Sequence, residues 1–429
     1  MNYFGDTKLI SSILKSEHLT FILNSSNTKY NIPLLVAYVF VFFNTAFLPG
    51  GMYWTMLAFP LFFYNSIRYK LLTPYILFSI FSIIYFLIHL SLSIRYGDYL
   101  KSSVLTLPNI GFLINCYHYF NHEKEENLRK LFQKITYLNF FLAILALVAF
   151  LIPVLKPVFW YLIPITKGSG IVPRLKLFTS EASVYSLLLS PLFLYYFFYY
   201  LKFKKLLNIR FFLFLIAPLA LSFSFGVCAG ILIAIAVTIL VYDKQLLERR
   251  TINQLIFFSV LFILVLFIWA YLDKDNLVVL RFKNIISGSD TSAKGRTFES
   301  FIIAKNVLNQ YQSWLFGIGP GQFKIMGKEL LLSYYQYSGN VADIRIPNAC
   351  ADTLIVYGIL GLVIRITLEL VLFVRTNVYK NHYRFALFVF LFVYQFTGSY
   401  YNNLIEWTIW VLVFSDTFKL FEKHLPTKQ

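Results

Sequence analysis

Apolar runs of about membrane-spanning length, broken by short polar and basic patches, recur along nearly the whole chain. A spanning helix needs roughly 20 apolar residues. Tyr30 to Ile67 carries no charge for 38 residues, and Pro49-Gly50-Gly51 breaks it into helices near 32–48 and 52–67. Further helices are expected at 72–94, 102–120, 135–155 and 182–201. Phe211 to Tyr242 is a second charge-free run, of 32 residues, best cut at Ser224-Phe225-Gly226 into two helices. Segments 252–272, 351–374, 385–400 and 403–418 bring the number to twelve. The expected fold is all-α and polytopic.

Composition agrees with this pattern. Hydrophobic residues make up 58% of the 429 positions and charged residues 14%, against about 25% charged in soluble domains. A soluble core could not absorb that much apolar surface. The net charge of +18 is spread over short loops, which argues for membrane topology and against a nucleic-acid-binding face. Three widely spaced cysteines, Cys116, Cys228 and Cys350, read as packing residues. Residues 1–31 lack the basic start and compact apolar core of a cleavable signal peptide, so they are expected to be a cytoplasmic or interfacial segment.

Lys and Arg concentrate on the cytoplasmic side of membrane proteins. With both termini inside, the inner segments hold 22 Lys/Arg in 88 residues and the outer ones 15 in 118. The resulting layout is an inner 1–31, helices over 32–272 with an outer loop at 156–181, and a long outer loop at 273–350. Helices over 351–418 and an inner tail at 419–429 complete it. Eleven or thirteen helices would put basic clusters on the wrong side. A 78-residue loop without structure would be unusual. Apolar positions Phe298, Phe301, Ile302, Val307, Leu308, Tyr311 and Leu315 predict a helix over 297–315 lying on something apolar, and 329–337 reads as a second, shorter one.

The chemistry is expected at the outer face. None of the six histidines lies in an outer loop under this topology, and the sequence has no GK[ST] phosphate loop. A cytoplasmic nucleotide-dependent enzyme is therefore disfavoured, and neither metal nor cofactor is expected. The outer loops are basic instead: Lys167, Arg174 and Lys176 precede Glu181, and Arg281, Lys283, Lys294 and Arg296 follow in the long loop. Arginine binds phosphate oxygens in a bidentate manner, so these groups suit a lipid-borne pyrophosphate; the competing reading is interfacial snorkelling. Gly317-Ile318-Gly319-Pro320-Gly321 could expose N–H groups to an anion, or could be a plain turn. Arg365 and Glu369, one turn apart within a helix, can neutralise each other, and Asp352 follows the long loop directly.

Taken in order, these pieces resemble the O-antigen polymerase and ligase superfamily of bacterial inner membranes. Arg174-Leu-Lys-Leu-Phe-Thr-Ser-Glu181-Ala-Ser183 resembles the family's Arg-aromatic-Glu-Pro-Ser entry into a helix, with Ala182 in place of proline. Leu221-Ser-Phe-Ser-Phe-Gly226 is similar to its serine-rich hairpin, with Phe225 where Arg is often found. Gly295-Arg296 through Gly317-Ile-Gly-Pro-Gly321-Gln-Phe323 matches an arginine, an amphipathic helix and a glycine turn. Asn348 to Gly361 resembles the segment usually opened by His-Asn, here Pro347-Asn348, and the missing His favours a Wzy-type polymerase over a ligase.

The resemblance implies a GT-C-like, metal-independent glycosyltransferase. Its donor would be a growing glycan on undecaprenyl pyrophosphate and its acceptor a lipid-linked repeat unit. The site would be periplasmic, with a chain-length regulator and a flippase as protein partners. Arg296, Arg174 and Arg281, with Lys176 and the glycines Gly317, Gly319 and Gly321, would serve the pyrophosphate. Glu181 or Asp352 would be the base, and Asn348 would orient a sugar hydroxyl. The rivals are a ligase and a non-enzymatic lipid-linked oligosaccharide flippase.

Overall fold

The computed structural model describes residues 32–46, 52–92, 94–162, 172–203, 206–246, 284, 287, 291–335 and 345–422. Over these the chain is almost entirely helical. Five helices are long and apolar enough to cross a membrane, and four shorter apolar ones accompany them; this is a helical membrane protein. The helix expected at 252–272, Arg281, Lys167 and Pro49-Gly50-Gly51 lie outside the described residues.

The first half follows the apolar runs with shifted boundaries. Helix α1 runs over Ile32–Tyr38 and continues to Phe43. Helices α2 (Trp54–Leu57) and α3 (Phe59–Arg68) share one run, broken at Ala58 where Pro60 restarts the helix. Then come α4 (Thr73–His89), α5 (Tyr96–His122) and α6 (Glu125–Phe150). The basic stretch 121–134 is therefore not a loop but mostly the start of α6, whose Glu125 and Glu126 complement the positive end of the helix dipole. A short α7 (Lys156–Phe159) leads into a two-residue strand, β1 (Trp160–Tyr161), paired antiparallel with β2 (Arg174–Leu175).

Helix α8 (Ala182–Phe203) is the central pillar. Within its most apolar stretch 72% of residues are buried, against 17% for α4, so α4 is left to face lipid. Helices α9 (Leu206–Ser222) and α10 (Phe225–Leu246) do split at Phe223-Ser224. Around α8, Ser186 and Ser222 share a hydrogen bond of 2.6 Å, and the Tyr185 hydroxyl donates to Asn139 at 2.7 Å.

The long-loop region carries α11 (Thr291–Arg296), α12 (Phe298–Gln310), α13 (Phe323–Met326) and α14 (Lys328–Tyr335). The helix expected over 297–315 is shorter and turned from its expected face. Its buried stripe is Ile303, Ala304, Val307 and Leu308, while Phe298 and Ile302 are exposed. An apolar position beside a bilayer can satisfy itself in lipid as well as in protein, so periodicity alone could not choose the face.

The last third holds α15 (Ala349–Arg375), α16 (His382–Tyr394) and α17 (Leu404–Phe414). Each opens on an asparagine whose side chain accepts an early backbone N–H: Asn348 from Ala351, Asn381 from Arg384, Asn403 from Ile405. Successive helices run up and down, giving the bundle two ends. One gathers Arg68, His122, Lys202, Arg375 and the 415–422 tail, tied by Asp416 N–H to Asn121 Oδ1 (2.8 Å) and by Lys202 to the Leu420 carbonyl. The other gathers the helix starts at 182, 349 and 404.

Candidate functional site

At this second end, α15 is interrupted. Gly358 has φ +69° and ψ −169°, so the helical ladder breaks there and leaves backbone groups to be satisfied elsewhere. The glycine turn supplies the partners. Ile318 N–H donates to Ile355 O (2.8 Å) and Gly319 N–H to Val356 O (3.0 Å). In return Ile359 N–H donates to Trp314 O (2.9 Å) and Leu360 N–H to Leu315 O (3.2 Å). The two segments lock edge to edge, with no room for side chains: a Cβ on Gly317 would stand 2.5 Å from the Ile355 carbonyl oxygen, and one on Gly358 would strike Leu315. Gly317, Gly319 and Gly321 all have positive φ.

His89, fully buried, closes the arrangement. Its Nδ1 meets the Tyr99 hydroxyl at 3.2 Å and its Nε2 the Phe316 carbonyl at 3.0 Å. The expected anion-binding role of this turn is corrected in part. The amides of Gly317, Ile318 and Gly319 are spent on Ser313, Ile355 and Val356 carbonyls, while Gly321 lines a cavity.

Asn348 is corrected likewise. It is fully buried; besides capping α15 it donates to the Arg296 carbonyl (2.9 Å) and the Phe396 carbonyl (2.7 Å). With both amide hydrogens engaged, it fixes the end of α11, and hence Arg296, against the end of α16.

What the structure does bring together is a cluster of arginines, carboxylates and phenols. The β1–β2 pair sets Tyr161 opposite Arg174, whose guanidinium lies 4.9 Å from the ring centre. Burial draws the Arg174 pKa down, with the Tyr161 phenol and Glu181 opposing it and Arg296 adding to it. Arg174 Nε is buried without a hydrogen-bond partner among the described residues. Glu181 stands at the start of α8 and accepts from the Ser183 hydroxyl at 3.0 Å. Lys176 is half-buried on the same turn, which lowers its pKa.

Asp352 occupies the neighbouring half of the cluster. Its Oδ2 accepts the Tyr401 N–H at 3.1 Å. A cavity of about 120 Å³ opens there between Tyr53, Asn109, Gly321, Arg345, Asp352 and Tyr401. Tyr400 stands between the two halves, beneath Arg345 at 5.5 Å. Burial first, and then the charge of Glu181, push its phenol up to about 12, while Arg296 and Arg345 pull it down. One phenol thus senses four of the charged groups.

Arg174 and Glu181 from one stretch, and Arg296 and Asp352 from another more than a hundred residues on, therefore meet at one end of the bundle. Tyr161, Tyr400, Tyr401 and Arg345 went unread in the sequence. The only signal for the tyrosines was the run Gly398-Ser-Tyr-Tyr-Asn-Asn403 between two apolar helices, where paired tyrosines meet four other polar or turn-forming residues. Chemically the cluster offers positive charge for a phosphate or pyrophosphate, two carboxylates able to take a proton, and phenols able to donate to hydroxyls. No protein-family model matches the chain, and no curated protein matches it.

Proposed function

We propose that the protein is a polysaccharide polymerase of the O-antigen type in a bacterial inner membrane. It transfers a growing glycan from undecaprenyl pyrophosphate onto a lipid-linked repeat unit. The observation that carries this reading is the convergence of Arg296, Glu181 and Asp352 around Tyr400, with Arg174 beside Glu181 and Arg296, at one end of an apolar bundle. Both substrates are lipid-borne, so a site at the rim of the membrane-embedded body meets them without extracting their tails.

In this reading the acceptor hydroxyl gives its proton to a carboxylate, and its oxygen bonds to the anomeric carbon. The bond from that carbon to the pyrophosphate oxygen breaks, and the electron pair leaves with undecaprenyl pyrophosphate. Arg296 and Arg174 stabilise the charge that develops on the leaving group. Asp352 is the favoured base, because one of its oxygens is held by the Tyr401 amide and the other accepts no hydrogen bond among the described residues. Glu181 lies nearer the arginines and suits a role in orienting them. The Lys/Arg bias supports placing the cluster on the periplasmic side, since the opposite end carries the denser basic charge.

Lipopolysaccharide gels of a deletion strain test the reading. Loss of a polymerase leaves core bearing a single repeat unit. Core alone with polymer retained on the carrier would instead indicate a ligase, and core alone without polymer a flippase. Complementation with Arg296→Ala is expected to shorten or abolish the ladder at normal protein level, in line with the about 10²–10³-fold cost of removing one transition-state charge partner. A normal ladder would refute the site.

A further inference from the structure

A cavity of about 570 Å³ lies apart from the site described above. It lies between α1, α3, α5, α6, α8 and α17. Its volume is that of a small-molecule binding site, about 300–1,000 Å³. Its inner wall is apolar: Phe40, Phe62, Phe112, Phe132, Leu188 and Ile405. From Phe112 to His122 along α5 is ten residues, about 15 Å at roughly 1.5 Å per residue. That is the depth of one leaflet, half of the roughly 30 Å hydrocarbon core.

The mouth has a different character. It opens at the basic end of the bundle, where α3 and α5 finish. Tyr69 and His118 stack at 3.9 Å between ring centres, His118 and His122 at 4.1 Å, and the Arg68 guanidinium sits 5.9 Å from the Tyr69 ring. Arg68 makes no ion pair among the described residues. Glu123, the acidic residue at the mouth, is engaged: its Oε1 accepts from Asn127 at 2.6 Å and from the Lys124 amide at 3.1 Å. An apolar bore one leaflet deep, with an arginine that makes no ion pair among the described residues and two imidazoles at its rim, suits a lipid: a hydrocarbon chain inside and a phosphate at the entrance.

We propose that this cavity binds one anionic phospholipid of the adjacent leaflet, with an acyl chain in the bore and the headgroup phosphate on Arg68, beside the Tyr69–His118 stack. Only the assignment of that leaflet to the cytoplasmic side depends on the orientation proposed above. The occupant is a bilayer lipid and not a soluble phosphate, because most of the lining is hydrocarbon that a soluble anion would leave wetted.

Native mass spectrometry of the full-length, delipidated protein in mild detergent tests this, with phosphatidylglycerol, phosphatidylcholine and glycerol 3-phosphate titrated separately. One phosphatidylglycerol per chain is expected to be retained, about tenfold more tightly than phosphatidylcholine, with no retention of glycerol 3-phosphate. Arg68→Glu, at an exposed position, is expected to weaken phosphatidylglycerol by about tenfold, or about 1.4 kcal/mol. Ala37→Trp, which fills the bore, is expected to abolish retention. If that variant does not fold, Arg68→Glu decides. Equal retention of both lipids, binding of glycerol 3-phosphate, an unaltered Arg68→Glu, or no retained lipid on the wild-type protein would each overturn the proposal.

Discussion

Arg365 is the most exacting point at which to perturb the bundle. It sits within α15, where the sequence suggests a simple pair with Glu369 one turn on. The structure gives it a larger role. Its guanidinium bonds Glu369 Oε1 at 3.2 Å, Gln395 Oε1 at 3.0 Å, Thr353 Oγ1 at 3.1 Å and Glu406 Oε1 at 2.5 Å, joining α15, α16 and α17. Gln395 closes the ring by donating to Glu369 Oε2 at 2.8 Å. Exposure is small, 14% for the Arg365 side chain, 9% for Glu369 and none for Glu406, so solvent screens little. Arg365→Met keeps the volume and removes the charge, stranding two carboxylates in a dry interior. Breaking a buried pair in this way costs about 3–5 kcal/mol. Glu406→Gln should cost far less, because Arg365 keeps Glu369 and one carboxylate balances one guanidinium. The triple variant Arg365→Met/Glu369→Gln/Glu406→Gln should recover most of the loss, since the penalty lies in stranded charge and not in lost attraction. Equilibrium unfolding in mixed detergent and sodium dodecyl sulfate, followed by tryptophan fluorescence, measures all three. An Arg365→Met loss below about 1 kcal/mol, or a triple variant no better than the single, would refute the account.

Asn348→Ala should lose a helix cap and orphan two buried carbonyls, lowering stability by about 2–4 kcal/mol in the same assay; Asn348→Asp, which sets a buried carboxylate oxygen against those carbonyls, should cost at least as much. Gly317→Ala and Gly358→Ala should each cost about 3 kcal/mol or more, because both positions combine positive φ with backbone contact. Gly226→Ala, with nothing within 4 Å of the new Cβ, should be neutral or slightly stabilising in circular-dichroism melts. The Tyr400 phenol, pushed from its usual value near 10 up to about 12, stays protonated after the unfolded chain has released its proton. Stability should therefore fall as pH rises from about 10 toward 12, and Tyr400→Phe should flatten that slope in a pH series of unfolding midpoints.

Much of the architecture was legible because the rules involved are local. Charge-free runs mark helices, and Asn348, Asn381 and Asn403 cap three of them by reaching only two or three residues ahead. Ser224 marks the split between α9 and α10. Where a boundary moved, a local feature was misweighed: Glu125 and Glu126 begin α6 inside a stretch that looked like a basic loop. The face of α12 was not legible, because Ile302 can be satisfied by lipid as readily as Ile303 is by protein, and a hydrophobic pattern does not distinguish the two.

The site divides along the same line. From the sequence alone came the arginines and carboxylates as residue types suited to a lipid-borne anion, and the glycines as a place of unusual backbone. Only the tertiary structure decided which of them meet. Arg174 and Glu181 precede Arg296 and Asp352 by more than a hundred residues, and their assembly at one end of the bundle depends on how α8, α11 and α15 pack. The glycine turn shows the reason most plainly. Its amides could have faced an anion, but Gly358 breaks α15 at the same depth, and backbone groups freed within an apolar body must find partners there. The nearest partners were the turn's own, so hydrogen-bond satisfaction between segments some forty residues apart, and not the local motif, set its role.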